Sequence, residues 1–331
     1  MNIRNTLPTQ LIGSLISASI VFCALVPARA EQITFSKVQQ EQQVTFNYRW
    51  KDHNNTEQSM AFSLQNENIF ERFRHLKIYQ PKFAQKSILR NIKKQLRKEK
   101  LPGVNINYQQ SQGETSIEVR GQDEKQVALA YAKINKIEQQ QRELYYKKNY
   151  YQAFTNYDQS TGIKVDHRSI ADDSVLDLKP LKPLILDQVS IKNIRKVTNY
   201  VLGFIQSIPY ATLEDRMTSS GAGFNPPLKL LWENQGDCDS KMTLAVALLR
   251  SLMPRIEMVL IYIEQHAFIG IAIPAKAGEL TINHEGIEYL LADPTGPALL
   301  PLGKLAPESE LAITQGQYVA ESYYARQISQ E

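Results

Sequence analysis

The sequence predicts an α+β protein with two units of different size. The chain has 331 residues, which is enough for two domains at roughly 100–200 residues each. Its hydrophobic content of 43% is typical of globular proteins. In the C-terminal half, two amphipathic helical patterns precede four consecutive strand-like runs, an order that favours α+β over a parallel α/β sheet.

The first 30 residues are predicted to be an export signal. Arg4 gives a positive start, residues 11–26 form an uncharged, largely apolar run of 16, and a small-x-small pattern ends at Ala30. We expect cleavage before Glu31, which would leave a periplasmic or secreted protein without a stable membrane span. The alternative is an uncleaved anchor, because the run of 16 residues is only slightly shorter than the roughly 20 residues of a membrane-spanning helix.

Charge and cysteine content narrow the function classes. The chain has 38 basic and 34 acidic residues, a balance that argues against a nucleic-acid-binding protein. Cys23 would leave with the signal, so Cys238 is the one cysteine of the predicted mature chain. A lone thiol in an oxidising compartment has no intramolecular partner, so we expect it to be buried or used in chemistry.

Residues 31–150 are predicted to form a small α+β unit of unknown role. Residues 43–50 alternate between polar and apolar, which is typical of a half-buried strand, and residues 60–64 suggest its returning partner. Two helical patterns at residues 82–100 and 122–148 flank a short hairpin. The first helix contains eight basic residues and one acidic residue. It is interpreted as a solvated face, with contact to anionic lipid or cell-wall polymer as the alternative.

The rest of the chain is divided into three parts. Residues 151–186 are irregular in pattern and rich in proline near their end, which predicts a linker or a packed connector. Residues 187–303 form the second unit, with helices at 191–208 and 238–252. Residues 304–331 are interpreted as a C-terminal tail. Four strands are predicted at residues 258–263, 267–273, 280–282 and 287–292.

The strongest chemical signal is the segment 236–241, Gly-Asp-Cys-Asp-Ser-Lys. Asp237 is a predicted N-cap, which places Cys238 in the first turn of a helix, where free amides and the macrodipole stabilise a thiolate. The carboxylates of Asp237 and Asp239 oppose this effect, so we expect an imidazole nearby to compensate. The alternative interpretation of Cys238 is a small hydrophobic core residue.

Among the five histidines, His266 is the candidate partner. It opens a run without polar residues, which predicts a strand buried on both faces. The alternative is a structural histidine beside a core strand. The remaining four histidines lie in polar or turn-like segments and are interpreted as solvated surface residues: His53, His75, His167 and His284.

Asp293 ends the last predicted strand and completes a candidate triad. A carboxylate at that position can accept the imidazole N–H and fix the tautomer of the ring. The alternative is a turn-starting aspartate before proline. If Asp293 and His266 meet across neighbouring antiparallel strands, residues 274–278 must loop out of the sheet.

These segments together resemble the transglutaminase-like superfamily over residues 188–303. The resemblance is carried by the segment 236–241, by Ala-Leu-Leu-Arg-Ser-Leu at 247–252, by His-Ala-Phe from His266 and by Asp-Pro-Thr from Asp293. It implies a papain-like C-terminal domain, with helices packed on an antiparallel sheet. It also implies a triad in which the Cys238 thiol is the nucleophile, the imidazole is the base and the carboxylate orients the imidazole. Phe268 stands where many members have tryptophan, which leaves the substrate class open.

The predicted function is therefore an exported cysteine enzyme that acts on amide bonds by acyl transfer. A protease or amidase is favoured because water is the default acceptor, with a protein or peptide, including cell-wall peptide, as substrate. The alternatives are a protein-crosslinking transglutaminase and a non-catalytic binding module of the same fold. No cofactor is predicted, although Asp172 and Asp173 are candidate calcium ligands.

Acyl transfer also requires donors for the oxyanion of the tetrahedral intermediate. The backbone N–H of Cys238 is one natural donor, because it lies at a helix start. The candidates for a second donor are Gln206, Trp232 and Gln235, and Trp232 has ordinary core packing as its alternative.

Overall fold

A computed structural model describes residues 30–99, 101–111, 114–214 and 223–324. The predicted export signal, apart from Ala30, lies outside the described residues. Within them, the chain is mixed α+β and its sheets are antiparallel, so the predicted α+β class is confirmed. No helix in the described ranges is sufficiently long and apolar to cross a membrane.

The first sheet packs into the core of the C-terminal half. It consists of β1 (Glu31–Gln39), β2 (Gln43–Lys51) and β3 (Glu57–Gln65), followed by the short helix α1 (Asn66–Phe70). The alternation predicted for β2 is confirmed, because Phe46, Tyr48 and Trp50 are all buried. The rings of Tyr48 and Trp50 lie 5.0 and 5.3 Å from that of Phe204. The first sheet is therefore part of the main core rather than of a separate N-terminal unit.

Residues 81–148 form a smaller unit with a core of its own. It contains α2 (Pro81–Lys98), β4 (Val104–Ser111), β5 (Glu114–Gly121) and α3 (Glu124–Lys148). The stripe predicted on the basic helix is buried against α3: Ile88, Ile92 and Leu96 pack with Ile134 and Ile137. The predicted unit 31–150 is thus divided, because its strands and its helices bury their apolar faces in different places.

The region between the two predicted units is a packed connector rather than a linker. It forms the hairpin β6 (Tyr151–Thr155) and β7 (Thr161–Val165), and then α4 (His167–Ser174) and α5 (Leu181–Gln188). Ile170, Leu178 and Leu181 are fully buried. The prolines that favoured extended chain lie at the start of α5, where proline is tolerated in the first turn.

The C-terminal half is built on one five-stranded antiparallel sheet. Its helices are α6 (Ile194–Ser207), α7 (Pro227–Glu233), α8 (Cys238–Leu252) and α9 (Pro307–Thr314). Its strands are β8 (Met258–Ile263), β9 (His266–Ile271), β10 (Thr281–His284), β11 (Ile287–Ala292) and β12 (Val319–Tyr323), in the order β10-β11-β9-β8-β12. The prediction of a C-terminal tail from residue 304 is wrong, because these residues form α9 and the strand β12, which pairs with β8.

Both faces of this sheet are covered. One face packs in the main core with α8, and the other buries Val259, Ile261 and Phe268 in a separate cluster with Leu305. This explains why β9 lacks polar residues after His266, because a strand covered on both sides has no solvent-facing positions.

The strand register brings the ends of β9 and β11 together. The two strands are antiparallel neighbours with Ala292 opposite Ile269, so the residues after β11 continue towards the start of β9. Residues 274–278, which were predicted to loop out, lie in the connection between β9 and β10, and β10 pairs with the other side of β11. The tight turn consists of Glu285 and Gly286, both with positive φ, and it pairs His284 with Ile287.

Candidate active site

The thiol of Cys238 stands at the first residue of α8, as predicted. The Asp237 side chain caps the helix by accepting a hydrogen bond from the Ser240 amide at 3.0 Å. The preceding Gly236 is held in a backbone bridge to Tyr210, and a Cβ at this glycine would lie 2.6 Å from Leu230 Cδ1. Packing and capping together therefore fix the position of the thiol.

The sulfur lies beside the backbone on both sides of His266. Cys238 Sγ is 4.0 Å from the carbonyl oxygen of Gln265, and the Ala267 amide donates a hydrogen bond to it. The start of α8 therefore lies against the start of β9. Cys238 is itself partly exposed.

His266 and Asp293 are hydrogen-bonded. His266 Nε2 lies 2.8 Å from Asp293 Oδ2, while Asp293 Oδ1 accepts from the Thr295 amide at 2.8 Å. Burial disfavours the charged imidazole, but the hydrogen bond and the charge of Asp293 outweigh it, so the pKa of His266 is raised. Because Nε2 is occupied by the carboxylate, Nδ1 is the ring nitrogen left for proton exchange with another group.

Burial and the two neighbouring carboxylates favour the protonated form of the thiol. Burial, Asp239 and Asp237 raise the pKa of Cys238 to about 12, although the amides of Ala267 and Asp239 act in the opposite direction. The sequence predicted this effect of Asp237 and Asp239, whose carboxylates oppose the formation of a thiolate. Burial and Asp239 also raise the pKa of Asp237 to about 7. Attack by this sulfur therefore requires a base that removes its proton.

The three candidate oxyanion donors have different positions. Gln206 is buried and donates from Nε2 to the carbonyl oxygens of Asp293 and Leu300, at 2.7 and 2.8 Å. Both of its amide hydrogens are thus used to hold the backbone at Asp293, so it is a positioning residue rather than an oxyanion donor. Trp232 packs against Phe70, with ring centroids 5.1 Å apart, which supports the core-packing alternative. Gln235, three residues before the thiol, stays a prediction.

Lys241 is a site residue that the sequence analysis did not identify. Its side chain is fully buried, and Nζ donates to the carbonyl oxygens of Ile208 and Thr295. Burial lowers its pKa to about 7, against the charges of Asp293 and Asp237. It ties α8 to the end of α6 and to the loop after β11. The available signal was its position three residues after the thiol, on the buried helix face.

His167 corrects one of the surface assignments. It is buried, its Nδ1 lies 3.0 Å from the hydroxyl of Tyr262, and its Nε2 lies 3.7 Å from Asp239 Oδ2. Burial lowers the pKa of His167. The prediction failed because the connector, which looked polar, packs against α8. His75 is exposed and His53 lies in a turn, as predicted.

The predicted calcium ligands are engaged in other contacts. Asp173 accepts from the Tyr150 hydroxyl at 2.8 Å, and Asp172 is hydrogen-bonded to Tyr323. Within the described ranges, no group of three or more histidine, cysteine, aspartate or glutamate side chains is arranged to hold a metal ion.

The comparisons with known proteins give no relative of this chain. No protein-family model, no curated protein and no solved structure matches the chain. The resemblance to the transglutaminase-like superfamily therefore rests on the residues of the site and their order in the sequence.

Proposed function

We propose that the protein is a cysteine enzyme that cleaves amide bonds through an acyl-enzyme. The Cys238 sulfur attacks the carbonyl carbon, and His266 accepts the thiol proton and then delivers it to the leaving amine. Water, activated by the same imidazole, hydrolyses the thioester and restores the thiol. The proposal rests on one juxtaposition: the sulfur adjoins the backbone on both sides of a histidine that is bound to a buried carboxylate.

The charge distribution supports general-base catalysis over a preformed thiolate. With its pKa raised to about 12, the thiol loses its proton only as the carbonyl is attacked. The imidazolium formed in that step is stabilised by Asp293, whose charge already raises the pKa of His266. The developing oxyanion is stabilised by the Cys238 amide at the start of α8, and Gln235 is the candidate for a second donor.

Two other functions fit the same residues. An amine that replaces water would make the enzyme a crosslinking transglutaminase. A binding module would keep the fold without using the thiol. Hydrolysis is preferred because water reaches a partly exposed thiol without a dedicated acceptor site. In a periplasmic or secreted protein, the substrate class would be protein or peptide, including cell-wall peptide.

The decisive test is the pH dependence of thiol alkylation. With iodoacetamide, a thiol deprotonated by His266 is expected to react already near neutral pH, well below its own raised pKa, and His266→Ala is expected to slow this reaction. Cys238→Ala reports any background labelling. A wild-type rate that rises only at alkaline pH and is unchanged in His266→Ala would favour the binding module.

A second experiment separates the two acyl acceptors. Purified protein without residues 1–30 is incubated with a panel of peptides, with and without a primary amine such as cadaverine. Release of free carboxyl termini identifies hydrolysis. Stable incorporation of cadaverine, dependent on Cys238, identifies transamidation and would overturn the preference for hydrolysis.

A further inference from the structure

A second site is indicated in the smaller unit, far along the chain from Cys238. A cleft of about 1700 Å³ lies between α2, the β4–β5 hairpin and α3. Small-molecule sites usually have volumes of roughly 300–1,000 Å³. The cleft is therefore of a size that suits a segment of a macromolecule.

One wall of this cleft is a row of cations on α2. Lys82, Lys86, Arg90, Lys93 and Arg97 recur every three or four residues and so share one face of the helix. No residue of α2 is acidic. Among the described residues, none of these five cations forms an ion pair with a carboxylate. The row is therefore a strip of positive charge without direct carboxylate partners among the described residues.

The rest of the lining includes aromatic and aliphatic side chains, together with polar residues and the Glu138–Arg142 ion pair. Tyr108 of the hairpin faces the cationic row, with the ammonium of Lys93 over its ring at 4.3 Å. Ile117 and Ile134 also line the cleft, and Tyr131 lies near them on α3. Tyrosine and arginine are enriched at protein interfaces because they combine apolar area with hydrogen-bonding groups.

We propose that this cleft binds an acidic, partly apolar peptide segment of a protein partner. Carboxylates of the segment would meet the cationic row, and its apolar side chains would cover Ile117 and the exposed ring of Tyr131. The concave shape and the apolar lining favour a peptide over a flat lipid surface. The row from Lys82 to Arg97 spans about 22 Å at 1.5 Å per residue, which matches about seven residues of extended peptide. This inference is independent of the proposed chemistry at Cys238.

The test is fluorescence polarisation with a fluorescein-labelled peptide of about ten residues, rich in glutamate and containing two leucines. We expect it to bind the full mature chain. The triple variant K86E/R90E/R97E, which reverses three charges of the cationic row, is expected to weaken binding at least ten-fold. The neutral triple K86Q/R90Q/R97Q is expected to give a smaller loss. Replacing both leucines of the peptide with serine is expected to weaken its binding to the wild-type protein.

The matched control is K125E/K136E/K147E, which changes the net charge equally but alters exposed lysines of α3 outside the cleft. It is expected to leave peptide binding unchanged, and circular dichroism checks that all variants fold. Equal losses in the two charge-reversed triples, or no binding to the wild type, would overturn the proposal. Preferential binding of phosphatidylglycerol vesicles or an anionic polysaccharide over the peptide would also overturn it.

Discussion

The two charged regions of this protein differ in how their charges are held. Around Cys238, the charges of Asp237, Lys241 and Asp293 are buried and satisfied by specific partners. On α2, the cations are solvated and lack carboxylate partners among the described residues. A buried charge changes the pKa and the geometry of its immediate neighbours. An exposed charge instead attracts or repels molecules that approach the surface.

The regions also differ in what supports them. The candidate active site depends on a core that combines the first sheet with residues 171–323. The cationic cleft depends on the separate cluster of residues 81–148. Mutations that affect one region but not the other can therefore test whether the two cores are energetically distinct.

The largest expected effect is loss of the main core. Phe46→Ala removes a fully buried ring of the first sheet, and we expect it to lower the free energy of unfolding by about 3–5 kcal/mol. Because that core supports the site, Cys238 should become reactive at a lower denaturant concentration. Ile134→Ala in the smaller core is the comparison variant. Identical shifts of Cys238 exposure in both variants would show that the two cores unfold together.

The next effect concerns the positioning of the imidazole. In Asp293→Asn, the side chain can no longer stabilise an imidazolium, so we expect alkylation of Cys238 near neutral pH to slow by about 100-fold. Asp173→Asn, which removes a carboxylate outside the site, is the control and should alkylate at the wild-type rate. An unchanged rate in Asp293→Asn would show that the Asp293 carboxylate does not assist His266 in removing the thiol proton.

The third expected effect is a gain in stability of the variant Asp237→Asn that depends on pH. The pKa of Asp237 is raised to about 7 in the folded protein, so the folded state binds its proton more tightly than the unfolded chain does. The stability that this proton provides is present at low pH and is lost as the pH rises towards 7. Asp237→Asn keeps an N-cap without the buried charge. We expect it to be about 2–4 kcal/mol more stable than wild type at pH 8, with no gain at pH 4.

The measurement for Asp237→Asn is chemical denaturation at both pH values. Asp123→Asn is the matched control, because the Asp123 side chain also caps a helix, α3, but from an exposed position. It is expected to change stability by only a few tenths of a kcal/mol at either pH. Equal effects of the two substitutions at pH 8 would show that the burial of Asp237 has no energetic consequence.

The smallest effect is on the thiol itself. Asp239 raises the pKa of Cys238, so Asp239→Asn should lower that pKa and increase the alkylation rate at pH 8 by about ten-fold. Asp187→Asn, at an exposed position of α5, serves as the control and is expected to have no effect. A slower rate in Asp239→Asn would indicate that Asp239 assists proton removal from the thiol.

Local patterns were sufficient to predict many elements. The helix from Cys238 and the strands β8 and β11 were predicted with their observed bounds, because each combines a clear apolar period with a strong boundary signal. The looping out of residues 274–278 also followed from sequence, because only one pairing of β9 and β11 brings His266 towards Asp293. Polar segments gave weaker signals, and the burial of His167 was missed for that reason.

By itself, the sequence determined the α+β class, the helix cap at Asp237 and the three residues of the candidate triad. These depend on local periodicity and on the chemistry of single side chains. Only the tertiary structure decided which apolar faces meet, so the first sheet joined the main core and residues 304–324 supplied an edge strand. It also decided the roles of Gln206 and Lys241, because their partners are distant in the chain and no local pattern encodes which carbonyl a buried donor will reach.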